Sequence, residues 1–554
     1  MTQSPSRATT PSIGAPALAL DRVALTLPKL ADRAFAVRDV SLAIAPGETL
    51  CLVGESGSGK SMLALAVMGL LPDGVKVASG SIRLAGRDLL GLDEAAMCDV
   101  RGREIGMIFQ EPMTSLNPVM RVSDQIAETF AAHGLLDPAA RIDRAVALLE
   151  EVGLPDPSQM ARAYPHELSG GQRQRVMIAI ALALEPKLLI ADEPTTALDV
   201  TMQAQVLRLI DDLRRKHGTA VLFITHDFGV VSDIADRVAV LQAGELVEEG
   251  PVDAVLRSPQ HPYTKRLLAA VPSLVPPTGR AFVDAPPSLR VEGLSKLYGD
   301  RGLFRTGRMI QAADAVSFEI RRGETLGLVG ESGSGKSTVG RCVLRLIEPD
   351  SGMIRVGDVA FSTLSQRALR PFRQRIQMVF QDPYSSLNPR RSVGQIIAEG
   401  PVAQGVDRSE ALAQAKILLD LVGLPVQAVD RYPHEFSGGQ RQRIGIARAL
   451  ALKPDVLVAD EPVSALDVSV QAQILALIRD LQDRFGLAIL FITHDLRVAA
   501  QVCDRIAVMR NGRIVELAET ARLFAAPRDA YTRQLLAAVP GTTRLRESAL
   551  EGTP

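Results

Sequence analysis

One eight-residue string, GESGSGKS, occurs twice and carries the residues of this chain best suited to binding phosphate. We call the two copies, Gly54–Ser61 and Gly330–Ser337, the phosphate loops. Each follows a short apolar run, such as TLCLV, which predicts a strand, a glycine-rich turn and a helix start. Glycines let backbone N–H groups approach a phosphate, and a helix N-terminus favours negative charge. Each loop is therefore predicted to cradle the phosphates of a nucleotide.

The last residues of each phosphate loop suit phosphoryl chemistry. Lys60 and Lys336 are placed to reach the β- and γ-phosphates, and the hydroxyls of Ser61 and Ser337 can bind Mg²⁺. One match could arise by chance or mark a site without hydrolysis, but two matches after apolar strands argue against chance. The predicted nucleotide contacts here are Gly54, Glu55, Ser56, Gly57, Ser58, Gly59, Lys60, Ser61, Gly330, Glu331, Ser332, Gly333, Ser334, Gly335, Lys336, Ser337 and Thr338.

Two adjacent acids end a second pair of apolar strands, LLIAD and VLVAD. Asp192 and Asp460 stand where a carboxylate would hold the metal. Glu193 and Glu461 follow directly and are placed to orient or polarise the attacking water. The alternative is that the acids only cap a strand, but the same DEP string follows both strands.

Two further features could contact phosphate. His226 and His494 follow the strands VLFIT and ILFIT and could hydrogen-bond the γ-phosphate, although a histidine in such a loop is more often structural. SGGQ, at Ser169–Gln172 and Ser437–Gln440, places two adjacent glycines at a helix start, where backbone N–H groups face an anion. His166, His261 and His434 lack metal-ligand spacing, which favours structural roles.

These motifs recur in the same order in both halves, which indicates a duplicated domain rather than a short-period solenoid. Apolar strand patterns alternate with helical ones, as in an α/β protein with a parallel sheet. The expected segments are a flexible leader (1–17), an ATPase domain (18–271), a proline-rich linker (272–288), a second ATPase domain (289–540) and a tail (541–554).

Composition gives no support for several classes of protein. The formal net charge of -1, from 62 basic and 63 acidic side chains, gives no support for binding nucleic acid or coating an anionic membrane. The four cysteines are scattered, which argues against a disulfide framework or a zinc site and suits a reducing cytoplasm. We expect neither a membrane-spanning helix nor a signal peptide.

The motif set resembles that of the ABC ATPases. The matching positions are Gly54–Ser61 (Walker A), Gln110 (Q-loop), Leu168–Gln172 (signature), Asp192–Glu193 (Walker B), Ala197–Asp199 (D-loop) and His226 (H-loop), with their second-half partners. The resemblance covers both halves. It implies two tandem P-loop ABC ATPase domains, each with a mainly parallel sheet core, a helical subdomain and an antiparallel β subdomain.

In that family two domains pair head to tail, so the resemblance implies two ATP sites within one chain and no need for a homodimer. Site one would use Lys60, Ser61, Gln110, Asp192, Glu193 and His226 with Ser437, Gly438, Gly439 and Gln440. Site two would use Lys336, Ser337, Gln381, Asp460, Glu461 and His494 with Ser169, Gly170, Gly171 and Gln172. The implied metal ligands are Ser61, Gln110, Asp192, Ser337, Gln381 and Asp460. The implied cofactors are ATP and Mg²⁺, and the expected activity is ATP hydrolysis.

One position breaks the symmetry of the two halves. Relatives stack an aromatic side chain on adenine from an early strand, and Tyr298 fits that role, with an ordinary strand-edge tyrosine as the alternative. The aligned residue in the first half is Leu27.

Other strings resemble the ATP-binding subunits of oligopeptide, dipeptide and nickel importers, and the fused layout is similar to the microcin C type. These strings are EPMTSLNP (Glu111–Pro118), DPYSSLNP (Asp382–Pro389), YPHELSGG, YPHEFSGG and HPYTKRLLAAVP. The chain departs from the pattern in having no cysteine-rich cluster after HPYT, and in reading DAYT at Asp529.

The resemblance implies two integral membrane permease subunits and a solute-binding protein as partners. The chain would then lie peripherally on the cytoplasmic face of the bacterial inner membrane, with peptides or peptide-like solutes as cargo. Two alternatives stay open at this point: a soluble tandem ABC protein acting on ribosomes or another macromolecule, and a regulatory nucleotide-binding module without turnover.

Overall fold

A computed structural model describes residues 15–29, 33–110, 115–195, 198–277, 286–299, 309–464 and 466–541. Most of the predicted leader, part of the predicted linker and nearly all of the predicted tail lie outside these residues. The chain divides into two compact units, the first chiefly within residues 15–269 and the second chiefly within 270–539.

The first unit contains two sheets. Its strands are β1 (Leu18–Thr26), β2 (Phe35–Ile44), β3 (Thr49–Val53), β4 (Lys76–Leu84), β5 (Arg87–Asp88), β6 (Ile105–Ile108), β7 (Leu188–Asp192), β8 (Ala220–Ile224), β9 (Arg237–Gln242) and β10 (Glu245–Pro251). An antiparallel sheet has the order β2-β1-β4-β5, and a six-stranded sheet has the order β10-β9-β3-β8-β7-β6. All neighbours in the larger sheet are parallel except the hairpin β9–β10.

Helices cover the parallel sheet and form a separate group between β6 and β7. The helices of the first unit are α1 (Lys60–Val67), α2 (Glu94–Val100), α3 (Val122–Ala132), α4 (Pro138–Glu151), α5 (Pro157–Arg162), α6 (Gly170–Leu182), α7 (Val200–His217), α8 (Phe228–Ile234), α9 (Val252–Arg257) and α10 (Pro262–Ala269). Pro165–Glu167 is a short 3₁₀ helix. The group α3 to α5 is the predicted helical subdomain.

The second unit repeats this architecture. Its strands are β11 (Leu289–Tyr298), β12 (Ile310–Ile320), β13 (Thr325–Val329), β14 (Ser351–Val356), β15 (Val359–Ala360), β16 (Ile376–Val379), β17 (Val456–Asp460), β18 (Ala488–Thr493), β19 (Arg505–Arg510) and β20 (Arg513–Glu519). The sheet orders are β12-β11-β14-β15 and β16-β17-β18-β13-β19-β20. Only the β19–β20 hairpin is antiparallel in the larger sheet.

Its helices follow the same order as those of the first unit, except that a 3₁₀ helix, Val426–Asp430, stands where the first unit has α5. They are α11 (Lys336–Val343), α12 (Gln366–Leu369), α13 (Val393–Ala403), α14 (Arg408–Leu421), α15 (Gly438–Leu450), α16 (Val468–Phe485), α17 (Leu496–Val502), α18 (Thr520–Ala525) and α19 (Ala530–Ala537). Phe361–Thr363, Arg370–Arg375, Val426–Asp430 and Pro433–Glu435 are 3₁₀ helices.

Burial explains why the central strands read as continuous apolar runs. Every residue of β7, β8, β17 and β18 is buried, as expected for parallel strands covered on both faces. Each phosphate loop likewise connects a buried parallel strand to a helix.

The α/β prediction, with two parallel-sheet ATPase cores and antiparallel sheets, is confirmed. Within the described residues, every helix is too short or too polar to cross a bilayer.

Candidate functional site

The phosphate loop of the first unit runs from β3 into α1 and depends on glycine at one tight position. Gly59 has a φ of 104°, and an added Cβ would lie 2.6 Å from the carbonyl oxygen of Ala36. This left-handed conformation strains any other residue. Lys60 Nζ donates to the carbonyl oxygens of Gly54 at 2.8 Å and Glu55 at 2.9 Å, which folds the lysine back over the loop.

The phosphate loop of the second unit has the same geometry. Gly335 also has a φ of 104°, and Lys336 Nζ donates to Gly330 at 2.7 Å and Glu331 at 2.8 Å. Burial lowers the pKa of Lys336, while the nearby Glu461 carboxylate opposes this shift. A buried lysine at the centre of a glycine loop is a strong attractor for an anion.

The serine after each lysine contacts the acid that ends the neighbouring strand. Ser61 Oγ donates to Asp192 Oδ1 at 3.1 Å, and Ser337 Oγ donates to Asp460 Oδ1 at 3.0 Å. Burial raises the pKa of both aspartates, although these hydrogen bonds oppose the shift. Hydroxyl and carboxylate oxygens that converge in this way are the hard ligands that Mg²⁺ prefers.

The glutamate after each aspartate is held by a glutamine and a histidine. In the first unit Gln110 Nε2 donates to Glu193 Oε2 at 3.0 Å, and His226 Nδ1 lies 3.3 Å from Glu193 Oε1. Glu193 has a φ of 46°, a strained conformation of the kind often stored at functional sites.

The second unit repeats this triad of side chains. Gln381 Nε2 donates to Glu461 Oε2 at 2.8 Å, and His494 Nδ1 lies 3.2 Å from Glu461 Oε1. Burial alone would raise the pKa of Glu461, but the hydrogen bond and charge of His494 hold it below its ordinary value. Burial would lower the pKa of His494, and Glu461 holds it above its ordinary value. Each side chain therefore stabilises the charged form of the other, the carboxylate of Glu461 and the imidazolium of His494.

The signature residues lie at the starts of α6 and α15. Ser169 Oγ accepts from Gln172 N at 3.3 Å while Gln172 Oε1 accepts from Ser169 N at 2.9 Å, a reciprocal capping box. Ser437 and Gln440 form the same box. The glycines between them, Gly170 and Gly171 or Gly438 and Gly439, form the first turn of each helix.

The structure thus brings the predicted residues together in part. Within each unit it joins lysine, serine, aspartate, glutamate, glutamine and histidine in one cluster. The signature residues are not part of this cluster, because they lie at the start of another helix of the same unit. Ala197 of the D-loop and Glu111 lie outside the described residues.

The aromatic position differs between the units in its exposure. Tyr298 ends β11 and is 38% exposed, with Lys296 Nζ 5.8 Å from its ring centroid. Leu27 is partly buried and packs against the core of the first unit. The second unit therefore has an exposed ring that could stack on a base, whereas the first unit has a leucine that packs against the core.

The three histidines set aside from metal binding each have a local contact. His166 stacks on Tyr164 and His434 on Tyr432, with ring centroids 5.7 Å and 5.9 Å apart. His261 Nδ1 accepts from Tyr263 N at 3.2 Å. Among the described residues, no group of three or more His, Cys, Asp or Glu side chains is arranged to hold a metal.

Sequence reasoning missed one pair of residues beside the phosphate loops. The hydroxyl oxygens of Tyr263 and Tyr531 accept hydrogen bonds from Glu55 N and Glu331 N. The signal was present in the sequence, because YTKRLLAAVP and YTRQLLAAVP recur near the ends of the two halves.

A glycine loop between a buried parallel strand and a helix, with a lysine folded over it and a serine–aspartate pair beside it, defines a P-loop ATPase. The sequence matches the family described as "ABC transporter" over residues 37–196 and 313–464. It also matches "Oligopeptide/dipeptide transporter, C-terminal region" over residues 247–301 and 515–554.

Similar curated proteins include two import proteins and a peptidoglycan transporter. The chain is 49% identical to the glutathione import ATP-binding protein GsiA of Salmonella choleraesuis, over 91% of this chain and 86% of that protein. It is 47% identical to GsiA of Escherichia coli, over 94% and 89%. It is 49% identical to the peptidoglycan transport ATP-binding protein YejF of Agrobacterium fabrum, over 91% and 92%.

The chain belongs to the ABC transporter family, as a fused tandem ATP-binding subunit of the importer class. It is an ATPase, and the predictions of family, fold and ATP hydrolysis are confirmed. The alternative of a soluble protein acting on ribosomes finds no support in these relatives.

Proposed function

We propose that this subunit powers the uptake of peptides or peptide-like solutes through two integral membrane permease subunits. The observation that carries the proposal is the match of both halves to the C-terminal region of oligopeptide and dipeptide transporters. The names of the relatives, for glutathione import and peptidoglycan transport, support small peptide-containing cargo. A solute-binding protein would deliver the cargo, and nucleic acid has no part in the cycle.

The two phosphate loops would each bind one ATP, and both sites would form within one chain without a homodimer. The support is that each unit holds a complete cluster of lysine, serine, aspartate, glutamate, glutamine and histidine. Each ATP would be completed by the other unit's signature helix start, at Ser437–Gln440 for the first loop and Ser169–Gln172 for the second. Domain boundaries at residues 271 and 289 are part of this proposal.

Mg²⁺ fits the oxygen ligands of each cluster. Ser61, Asp192 and Gln110 would hold it in the first site, and Ser337, Asp460 and Gln381 in the second. Bound there with ATP, the ion would neutralise charge on the β- and γ-phosphates. The hydroxyl–carboxylate contacts of 3.1 Å and 3.0 Å support this assignment, because two of the three proposed ligands lie side by side in each unit.

The glutamates would position the attacking water. One carboxylate oxygen of Glu461 contacts Gln381 and the other contacts His494, so the carboxylate plane is fixed from both sides. A fixed carboxylate can orient water in line with the γ-phosphate without reorganising during the reaction. Because each glutamine also starts the segment toward the helical subdomain, its bond to the glutamate would link the reaction to motion there.

The helical segments, residues 111–167 and 382–435, would face the permease subunits. Tyr384 supports this assignment, because it is 67% exposed, three residues after the second Q-loop glutamine, and Arg441 lies 3.5 Å from its ring centroid. Large exposed aromatic side chains beside an arginine are typical of protein interfaces. The chain would then lie peripherally on the cytoplasmic face of the inner membrane.

The first test is affinity purification of the tagged full chain from gently solubilised cells with ATP, followed by mass spectrometry. We expect two polytopic membrane proteins to be retained, and ribosomal proteins without them would refute the importer proposal. Tyr384→Asp should reduce their recovery while ATP hydrolysis persists. Met353→Asp is the matched control, because Met353 is also exposed but lies in the antiparallel sheet.

A second test addresses the cargo. Uptake of labelled glutathione and of labelled dipeptides would be measured in cells carrying the chain or its Glu193→Gln, Glu461→Gln double variant. We expect uptake of at least one peptide-containing solute to require the unmodified chain. Uptake of neither, with uptake of a nickel chelate instead, would overturn the peptide assignment and leave the transporter assignment intact.

A further inference from the structure

A buried tyrosine hydroxyl contacts the second residue of each phosphate loop. Tyr263 Oη accepts a hydrogen bond from Glu55 N at 3.1 Å, and Tyr531 Oη accepts one from Glu331 N at 3.2 Å. The tyrosines lie on α10 and α19, about 200 residues along the chain from the loops they contact. Their side chains are 4% and 3% exposed. The same long-range contact is therefore built twice.

The contact fixes a peptide that the catalytic lysine also holds. In the second unit Glu331 N donates to Tyr531, while the Gly330 carbonyl oxygen, which belongs to the same peptide group, accepts from Lys336 Nζ at 2.7 Å. The next carbonyl oxygen, that of Glu331, accepts from Lys336 Nζ at 2.8 Å and from Ser334 N at 3.2 Å, both within the loop. The preceding Gly330 has a φ of 153°, and an added Cβ there would lie 2.2 Å from the Met509 carbonyl oxygen. The start of the loop is held tightly on the sheet.

Each tyrosine is in turn positioned by a helix cap. Tyr531 N donates to Asp529 Oδ1 at 2.8 Å, and Tyr263 N donates to His261 Nδ1 at 3.2 Å. Histidine in HPYT and aspartate in DAYT supply an acceptor at the same place. The departure noted in the sequence therefore preserves the hydrogen bond.

The turn before each tyrosine helix is anchored on the antiparallel hairpin. Glu248, on β10, accepts from Gln260 N at 2.7 Å and His261 N at 3.1 Å. Glu516, on β20, accepts from Arg528 N at 2.9 Å and Asp529 N at 3.0 Å. A continuous series of hydrogen bonds thus runs from the hairpin through the helix cap to the phosphate loop.

We propose that Tyr263 and Tyr531 are positioning residues for nucleotide binding, which hold the start of each phosphate loop so that its remaining N–H groups converge on phosphate. The proposal rests on the assignment of the two loops as ATP sites. Preorganised donors bind an anion without paying an ordering cost at the moment of binding. Burial raises the pKa of Tyr531 to about 12. The C-terminal region would thereby serve the ATP site of its own unit.

The test uses the full chain with Tyr263→Phe and Tyr531→Phe, singly and together. Phenylalanine keeps the buried ring and removes only the acceptor oxygen. We expect the dissociation constant of ATP, measured by calorimetry in EDTA, and the KM of hydrolysis to rise roughly fivefold, with kcat changed by less than about twofold. Amide hydrogen exchange in the peptide spanning 330–337 should become faster in Tyr531→Phe.

Leu267→Ala and Leu535→Ala are the matched controls. Both leucines are buried on the same helices as the tyrosines, but their side chains have no group that could hydrogen-bond to a phosphate loop. They should lower the melting temperature and leave the KM unchanged. An equal rise of the KM in these controls would show that the tyrosines only pack the helix, and unchanged ATP affinity and exchange in the phenylalanine variants would overturn the proposal.

Lys60→Ala and Lys336→Ala separate this proposal from the site assignment. If both lysine variants retain full ATP affinity, the loops are not the ATP sites and the proposal falls with them. If the lysine variants lose affinity while the tyrosine variants do not, only the tyrosine proposal is refuted.

Discussion

The two ATPase units agree closely where they would meet phosphate and differ where they meet a base, a helix end or solvent. The lysine, serine, glutamine and histidine contacts of one unit have counterparts in the other that differ in length by 0.2 Å or less. In contrast, Leu27 packs against a core where Tyr298 is exposed. Side chains proposed to act on phosphate have the same geometry in both units, whereas side chains outside the phosphate cluster differ between the units.

The helix ends near the helical subdomain show the divergence best. In the first unit Glu151 pairs with Lys216 at 3.3 Å and Arg144 at 3.7 Å, and His217 lies 3.5 Å from Glu185. The corresponding region of the second unit is an apolar cavity of about 440 Å³. Its lining includes Ile417, Leu418, Leu421, Lys453, Phe485 and Leu487. One fold thus accommodates an ion-pair network or an apolar cleft at the same place.

The strongest test of the symmetry is the water-positioning glutamate. Glu193→Gln and Glu461→Gln should each lower ATP turnover by at least about 100-fold, because a neutral amide cannot act on the attacking water as a carboxylate does. The two losses should be similar, as the glutamine and histidine contacts of the two glutamates are. Steady-state hydrolysis by the full chain measures them, with ATP affinity as the control. Grossly unequal losses would show that only one site turns over.

The next largest effect is expected at the glycine before each catalytic lysine. Alanine at Gly335 would bring a Cβ within 1.8 Å of the Ala312 carbonyl oxygen, against 2.6 Å from Ala36 for alanine at Gly59. Both substitutions also force a φ of 104° on a residue with a side chain. We expect each to cost about 1 to 3 kcal/mol of stability, more for Gly335→Ala, and to weaken ATP binding. Denaturant unfolding monitors the first effect and calorimetry the second. Equal, negligible costs would contradict the tight packing of both loops.

Sequence reasoning identified the residues that meet in each cluster because short motifs fix local geometry. GESGSGKS dictates a turn that only glycine can make, and a buried strand ending in Asp192 or Asp460 must deliver its carboxylate at the sheet edge. That these residues share one site with the serine, glutamine and histidine was implied by the family resemblance.

The contacts that escaped prediction join residues far apart in sequence. Neither spacing nor composition shows that Tyr531 reaches Glu331, because the contact depends on how α19 packs beside the loop. The acceptor role shared by His261 and Asp529 was likewise hidden, since the two side chains have little chemistry in common outside a helix cap. Pairing of each loop with the other unit's signature residues stays a prediction.

The aromatic position should separate the two sites by their response to the base. Tyr298→Ala should weaken ATP binding at the second site by roughly tenfold, because a stacked ring contributes about 1 to 3 kcal/mol. Leu27→Ala should instead lower stability by about 1 kcal/mol, since that side chain packs against the core, and leave nucleotide affinity unchanged. Calorimetry with ATP and with tripolyphosphate, which lacks a base, distinguishes them. A loss of tripolyphosphate affinity in Tyr298→Ala would argue for a structural tyrosine.

The smallest expected effect is at the helix ends. Leu421→Glu with Phe485→His would give the cavity of the second unit the residues found in the first. Phe485 is already 48% exposed, whereas Leu421 is partly buried and packs against the core, so some apolar packing is lost and stability should fall by about 1 kcal/mol at most. The reverse exchange in the first unit, Glu151→Leu with His217→Phe, removes exposed ion pairs and should also cost less than about 1 kcal/mol. Thermal unfolding of the full chain measures both, and binding of an apolar fluorescent dye should fall only in the first variant. A loss of several kcal/mol of unfolding free energy in either exchange would mean that these residues are needed for the stability of the fold.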